Sequence, residues 1–135
     1  MARNSIGLVE LGSIAAGYQV SDAMLKAADV EIVLARSICS GKYMVMVRGD
    51  VAAVQASVEA GTRAGAFSII DKFVIPNLHD SIFPAIAGSN KVEALQALGV
   101  LESFSVASLI EGAEIQGTVP MWQWIGDEGA TSFSY

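Results

Sequence analysis

Few residues of this sequence have the types and spacing that chemistry needs. The only cysteine, Cys39, lies in the turn-like sequence Ile-Cys-Ser-Gly-Lys, and the only histidine, His79, lies in Asn-Leu-His-Asp. Glu10 and Glu102 are predicted strand residues without a paired acid. The sequence has no phosphate-binding glycine loop, no His or Cys cluster with metal-ligand spacing and no Ser/His/Asp set. We therefore expect a protein that is not an enzyme, with Cys39 as its main candidate for chemistry.

The composition indicates one small domain that is unusually apolar. Of 135 residues, 53% are hydrophobic and 16% are charged, below the ~25% of charged residues in an ordinary soluble domain. A domain of this size cannot bury so much apolar surface within itself, so we expect copies of the chain to associate. The net charge of −6 argues against a nucleic-acid or anionic-membrane partner. Without a transmembrane run or a signal peptide, a cytoplasmic protein is expected.

The elements that must position these residues follow the order β-α-β-β-α-β. The sequence predicts two helices, at 14–28 and 51–66, and four strands, at 5–13, 30–38, 43–49 and 68–76. Residues 39–42 have turn chemistry, with Gly41 free to take a positive φ, so the second and third strands should form a hairpin. Asp50 is a predicted N-cap. This order predicts the split βαβ, ferredoxin-like α+β fold, with both helices on one face of the sheet.

A second copy of this unit begins near residue 97. Residues 6–15 align with residues 98–107 at a constant offset of 92, with identical residues at Gly7/Gly99, Glu10/Glu102, Ser13/Ser105 and Ala15/Ala107. The likeness ends at about residue 114, and the sequence after it shows no trace of the first hairpin. We predict a domain at 4–90, a linker at 91–96, and at 97–135 an incomplete second repeat with an unassigned tail. The tail either packs as an apolar patch on the first domain, binds a partner, or belongs to a truncated second domain.

Three segments of the sequence resemble a known family. They are LVELGSIAAGYQVSDAMLKAADV, VRGDVAAVQASVEAG and VIPNLHDSIFPAI, and over about residues 5–90 the chain resembles bacterial microcompartment shell proteins, in particular those with tandem domains. The resemblance implies a BMC fold in flat trimers that mimic a hexamer, or in hexamers, which tile around enzymes and pass small molecules through a central pore. Its partners would be copies of itself, other shell proteins and the enclosed enzymes. The alternative is a cytosolic, oligomeric ferredoxin-like domain that binds a metabolite.

The same resemblance assigns a role to the hairpin turn. It implies that the pore is lined by Ile38, Cys39, Ser40 and Gly41, and that Cys39 is a ligand of an iron–sulfur cluster, with three thiolates per trimer. Because such clusters need about four ligands, mostly thiolates, a [4Fe-4S] cluster would be shared between subunits on the symmetry axis. A hexamer would gather six cysteines, too many for one cluster. Ser40 stands where the family usually has a proline. The alternative to a cluster ligand is that Cys39 is a reduced turn residue without a chemical role.

The resemblance also points to residues at the disc edge. Lys26 matches a lysine that packs there against its copy on the next disc, whereas the residues alone suggest one member of a solvated i,i+4 pair. Arg48 is expected either to support the edge or to pair with Asp50. His79 stands where the family has an Arg-Pro-His pattern, here Asn-Leu-His, and it is assigned a structural or rim role.

Overall fold

The computed structural model describes residues 3–87, 100–115, 123–127 and 130–134. The chain forms two compact units, of which the first ends at Leu78 and the second begins at His79. The first contains β1 (Ser5–Leu11), α1 (Ile14–Ala27), β2 (Glu31–Cys39), β3 (Lys42–Gly49), α2 (Val51–Gly65) and β4 (Ile69–Ile75). The second contains α3 (Ile82–Ile86), β5 (Val100–Ser103), α4 (Val106–Ile115), β6 (Gln123–Asp127) and β7 (Ala130–Ser134). The predicted boundary at residue 90 and the linker at 91–96 lie outside the described residues.

The first unit has the predicted fold. Its four strands form an antiparallel sheet in the order β2-β3-β1-β4, so β3 lies between the two strands that α1 connects. That insertion is the split βαβ arrangement, and the predicted β2–β3 hairpin is confirmed. Helix α1 packs on β2 and β3, and α2 packs on β1 and β4. The core between helices and sheet is formed mainly by Val9, Leu11, Val45, Val47, Val20, Met24, Val54 and Val58.

Side-chain caps fix where both long helices begin. The Asp50 carboxylate accepts a hydrogen bond from the backbone N–H of Ala53 at 2.8 Å, which confirms the predicted N-cap of α2. Ser13 caps α1 in the same way, since its hydroxyl accepts from the N–H of Ala16 at 3.2 Å. Each cap satisfies a backbone donor that the first helical turn leaves free.

Two glycines allow α1 and α2 to approach their neighbours closely. A Cβ on Gly17 would lie 2.8 Å from Cβ of Tyr43 and closer still to two atoms of the Tyr43 ring. A Cβ on Gly61 would lie 2.6 Å from Cγ of Met24. The cost of glycine in a helix interior, roughly 1 kcal/mol, is therefore offset by close packing, which is tightest against Tyr43 at Gly17.

The second unit repeats part of the topology of the first. Its sheet has the order β5-β7-β6, in which β7 pairs antiparallel with both neighbours, as β3 pairs with β1 and β2. The hydroxyl of Ser105 accepts a hydrogen bond from the N–H of Ser108 at 3.3 Å, as Ser13 does from Ala16. Sequence comparison found no trace of a second hairpin, but β6 and β7 form one. Antiparallel pairing needs strand-forming residues rather than the same sequence.

Candidate functional site

The β2–β3 turn carries the residues predicted to line a pore. Strand β2 ends at Cys39, whose Cα is paired with that of Lys42, so the loop between the strands contains only Ser40 and Gly41. Gly41 has φ = 75°, which glycine adopts without strain. No described atom would lie within 4 Å of a Cβ at Gly41. Because Ser40 and Gly41 are exposed and Ile38 is half-buried, the turn projects from the end of the sheet into open space.

Charged side chains surround the base of this turn. The ammonium of Lys42 lies 3.4 Å from Oε1 of Glu10, a residue of the central strand β1 whose side chain is only 13% exposed. Arg36, three residues before Cys39 on β2, is exposed. Lys42 and Glu10 form a neutral ion pair. Asp71 is opposite Glu10 on β4, so the charge of Arg36 on β2 is balanced within the same row of the sheet.

Tyr43 anchors the start of β3 immediately after the turn. Its ring is buried over Gly17, and its centroid lies 5.4 Å from that of Tyr18, with the two rings tilted by 43°. Burial is the main cause that raises the pKa of Tyr43, with Tyr18 adding to it. This packing holds the first residues of β3 against α1, so the turn is supported by a rigid base.

A cluster of exposed charges lies at the opposite end of the hairpin. Two Arg48 nitrogens contact Oε2 of Glu31, Nη2 at 2.7 Å and Nε as a donor at 2.8 Å. Arg3 Nη1 lies 3.1 Å from Oε1 of Glu31, and Arg3 also binds Asp29. These contacts lower the pKa of Glu31, with the hydrogen bond from Arg48 as the main cause, while Asp29 raises the pKa of Arg3. Sequence reasoning did not find Glu31 as the partner of Arg48.

Lys26 lies in the last turn of α1, at the same end of the unit as the charge cluster. Its ammonium is 2.7 Å from Oδ2 of Asp22, and both side chains are largely exposed. Helix α1 starts beside the turn end of the sheet and finishes near Glu31, where β2 begins. The first unit thus separates the predicted pore residues from Lys26 and Arg48. The edge role of these two residues stays a prediction, and their separation from the turn is compatible with it.

His79 lies at the start of the second unit and is exposed. Its backbone N–H donates to Oε2 of Glu114 at 2.8 Å. Its ring Nδ1 accepts from the backbone N–H of Ser81 at 3.3 Å and lies 2.8 Å from the Ser81 hydroxyl. These contacts join the loop before α3 to α4. They give His79 a local structural role, while a role at the disc rim stays a prediction.

Two features are absent from the described part of the chain. No group of three or more His, Cys, Asp or Glu side chains there could hold a metal ion. Among the same residues, no helix is both long and apolar enough to cross a membrane.

Comparison with known proteins gives the family. A family model described as the BMC domain matches residues 5–78, which is more than half of the 135-residue chain. The chain belongs to the BMC-domain family. It is 44% identical over 110 residues to the bacterial microcompartment shell protein PduT of Citrobacter freundii, an alignment that covers 82% of this chain and 60% of that protein. It is also 38% identical over 85 residues to the shell protein EutM of Salmonella typhimurium, over 59% of this chain and 88% of the relative.

A solved relative extends the comparison to the fold. The crystal structure of a microcompartment protein from Desulfitobacterium hafniense superposes with a TM-score of 0.88 and 42% sequence identity, over 98% of this chain and 77% of that one. This BMC-domain chain thus spans 60% of PduT and about three quarters of the solved chain. The relatives are named as shell proteins, which supports the prediction of a structural role and not an enzymatic one.

Proposed function

We propose that this chain is a tile of a bacterial microcompartment shell in the cytoplasm. Its copies assemble into flat trimers or hexamers, which join other shell proteins in a sheet that encloses enzymes. The observation that carries the proposal is the BMC domain at residues 5–78, whose sheet ends in an exposed two-residue turn. The chain's apolar composition agrees, since 53% hydrophobic residues in a chain of 135 favour burial between copies.

The central pore would be formed where the β2–β3 turns of all copies meet. Ile38, Cys39, Ser40 and Gly41 would line it, and small molecules would pass through it. Support comes from the geometry of the turn, which projects beyond the sheet and has open space around Gly41.

A [4Fe-4S] cluster shared between subunits is the second part of the proposal. One chain supplies one thiol, so the residues fit a cluster only where several copies meet. Three Cys39 thiolates with one non-cysteine ligand would complete about four positions. Lys42, whose Cα is paired with that of Cys39, would favour the thiolate over the thiol. When bound, the cluster would supply one-electron transfer through the tile.

Anaerobic purification followed by native mass spectrometry, iron analysis and a visible spectrum tests both parts. We expect a brown assembly with about four irons, which loses colour and iron in Cys39→Ser but not in Ser40→Ala, a matched change in the same turn. A colourless trimer or hexamer would refute the proposed cluster, but it would still agree with the proposed shell tile. A chain that stays monomeric would contradict the tile itself.

A further inference from the structure

Strand β5 lies at an edge of the sheet in the second unit. In that sheet, of order β5-β7-β6, the described residues give β5 a single neighbour, β7. Its counterpart in the first unit is β1, which pairs with β3 on one side and with β4 on the other. An edge strand presents a row of backbone N–H and C=O groups that can bind a further strand. Within the described part of the chain, the side of β5 that corresponds to the β4 side of β1 is therefore open.

The equivalence of β5 and β1 is supported by sequence and by geometry. The two strands belong to the repeat with an offset of 92, and β5 pairs antiparallel with β7 as β1 does with β3. Beyond the strand, the N–H of Leu109 donates to the carbonyl of Ser105 at 3.2 Å. The same bond joins Gly17 to Ser13 at 3.1 Å, 92 positions earlier. The chain thus enters and leaves the segment after β5 in the way it enters and leaves the segment after β1.

Phe104, the counterpart of Gly12, marks the place of a further strand. A Cβ on Gly12 would lie 3.6 Å from Cδ1 of Ile70 and 3.9 Å from the carbonyl oxygen of Ser68, so this position faces the start of β4. The N–H of Gly12 also donates to that carbonyl at 2.8 Å. At the same position of the second copy, the side chain of Phe104 is fully exposed. A large apolar side chain is therefore in water at the position that contacts β4 in the first unit.

We propose that this edge binds an extended segment of another polypeptide, which becomes the fourth strand of the sheet. We name Val100–Ser103 and Phe104 the acceptor edge. The bound segment runs antiparallel to β5, as β4 runs to β1, and it places an apolar residue against Phe104, as Ile70 lies against Gly12. In strand addition, main-chain hydrogen bonds supply affinity and side-chain contacts supply selectivity. This binding site is separate from the proposed tiling and does not depend on it.

Glu102 sets the charge that the bound segment prefers. It is the counterpart of Glu10, which is opposite Asp71 on β4. Glu102 is exposed, and its neighbour on β7 is the uncharged Ser132. Opposite charges on directly opposed strand residues stabilise the pair, and like charges destabilise it. The preferred partner is therefore an apolar extended segment with Lys or Arg opposite Glu102.

Fluorescence anisotropy of labelled peptides, titrated with the full chain, tests the acceptor edge. The probes are the β4 sequence SIIDKFVIPN, residues 68–77, the same peptide with Asp71→Lys, and a scrambled peptide of equal composition. The lysine peptide should bind about three- to tenfold more tightly than the native sequence, because a like-charged pair with Glu102 becomes an oppositely charged one. The chain variant Glu102→Lys should reverse that order. The scrambled peptide should not bind.

Phe104→Ser tests the apolar part of the acceptor edge. The variant should keep the far-UV circular dichroism of the parent, because Phe104 is fully exposed, and it should bind both β4 peptides about tenfold more weakly. Phe67→Ser is the matched control, since it changes an equally exposed phenylalanine of the first unit; it should leave peptide binding unchanged.

Two results would overturn the acceptor edge. One is that neither β4 peptide binds the parent chain. The other is that they bind but Glu102→Lys does not reverse their order and Phe104→Ser does not weaken them, since the peptides would then bind elsewhere, for example by exchange with the chain's own β4. Discs without peptide binding would leave the proposed tile intact, whereas peptide binding without discs would contradict the tile alone.

Discussion

Replacing Gly17 by alanine is expected to destabilise the first unit by about 2 kcal/mol, although alanine is the better helix former. The new Cβ would lie 2.8 Å from Cβ of Tyr43 and closer to two ring atoms, whereas carbon atoms in contact lie about 3.5–4.0 Å apart. Rotating the ring cannot move Cβ of Tyr43, so α1 or the start of β3 must shift. Overpacking of this kind costs typically ~1–3 kcal/mol. If overpacking costs about 3 kcal/mol and alanine stabilises the helix by roughly 1 kcal/mol relative to glycine, the free energy of unfolding falls by about 2 kcal/mol.

Urea unfolding followed by circular dichroism, at one fixed chain concentration, measures this difference. Gly61→Ala is the matched control, because it also adds a Cβ at a buried helix glycine. There the crowded atoms are Cγ and Sδ of Met24, at 2.6 and 2.8 Å, and a flexible thioether side chain moves aside more easily. We expect that variant to stay within about 1 kcal/mol of the parent. If Gly17→Ala is as stable as the parent, the contact between α1 and Tyr43 is not as close as described.

Three smaller predictions concern single side chains, each measured by urea unfolding. Asp50→Ala removes the cap of α2 and should lower the free energy of unfolding by about 1 kcal/mol, while Asp50→Asn should keep most of it. Ser5→Ala should raise it by about 1 kcal/mol, because the Ser5 hydroxyl is fully buried and has no hydrogen-bond partner in the described part of the chain. In the folded state the pKa of Glu31 is lower than its ordinary value of 4.5. The ionised Glu31 side chain therefore stabilises the fold at neutral pH. This contribution is lost as the pH falls from 4.5 through the folded-state pKa. Glu31→Gln should therefore be less stable at neutral pH and should lose less stability on acidification. A Ser5→Ala variant that is less stable, or a Glu31→Gln variant with the parent's pH profile, would contradict these assignments.

The first unit could be predicted from sequence because its signals are local. Short β-prone apolar runs mark β1 and β3, turn residues mark the loop at Ser40 and Gly41, and Asp50 marks the start of α2. Each signal lies within a few residues of the feature that it predicts. The order of the elements then leaves few topologies, and the split βαβ arrangement is one of them.

The charge cluster around Glu31 could not be predicted, because it depends on strand register. In a regular hairpin, in which each β2 residue pairs with one β3 residue, counting from the Cys39–Lys42 pair would place Asp50 opposite Glu31. Two irregularities in β2 shift the register, so that Arg48 is the residue opposite Glu31. Bulges of this kind leave little trace in a single sequence. The β6–β7 hairpin was missed for a related reason, since its pairing joins residues whose sequence does not resemble the first copy.

The proposed site at Cys39 has a different limit, because the proposed cluster requires several copies of the chain. Residues of one chain fix the turn, the position of Lys42 and the ion pair with Glu10. How many thiols meet depends on symmetry, which neither the sequence nor one folded chain contains. The family resemblance supplied the expectation of a pore.

Electron microscopy of the purified chain tests the central claim most directly. If the chain is a shell tile, class averages will contain flat discs with threefold or sixfold symmetry and a central pore, and at higher concentration the discs will pack edge to edge into sheets. Particles of single chains of 14.1 kDa, with no discs at any concentration, would contradict the claim.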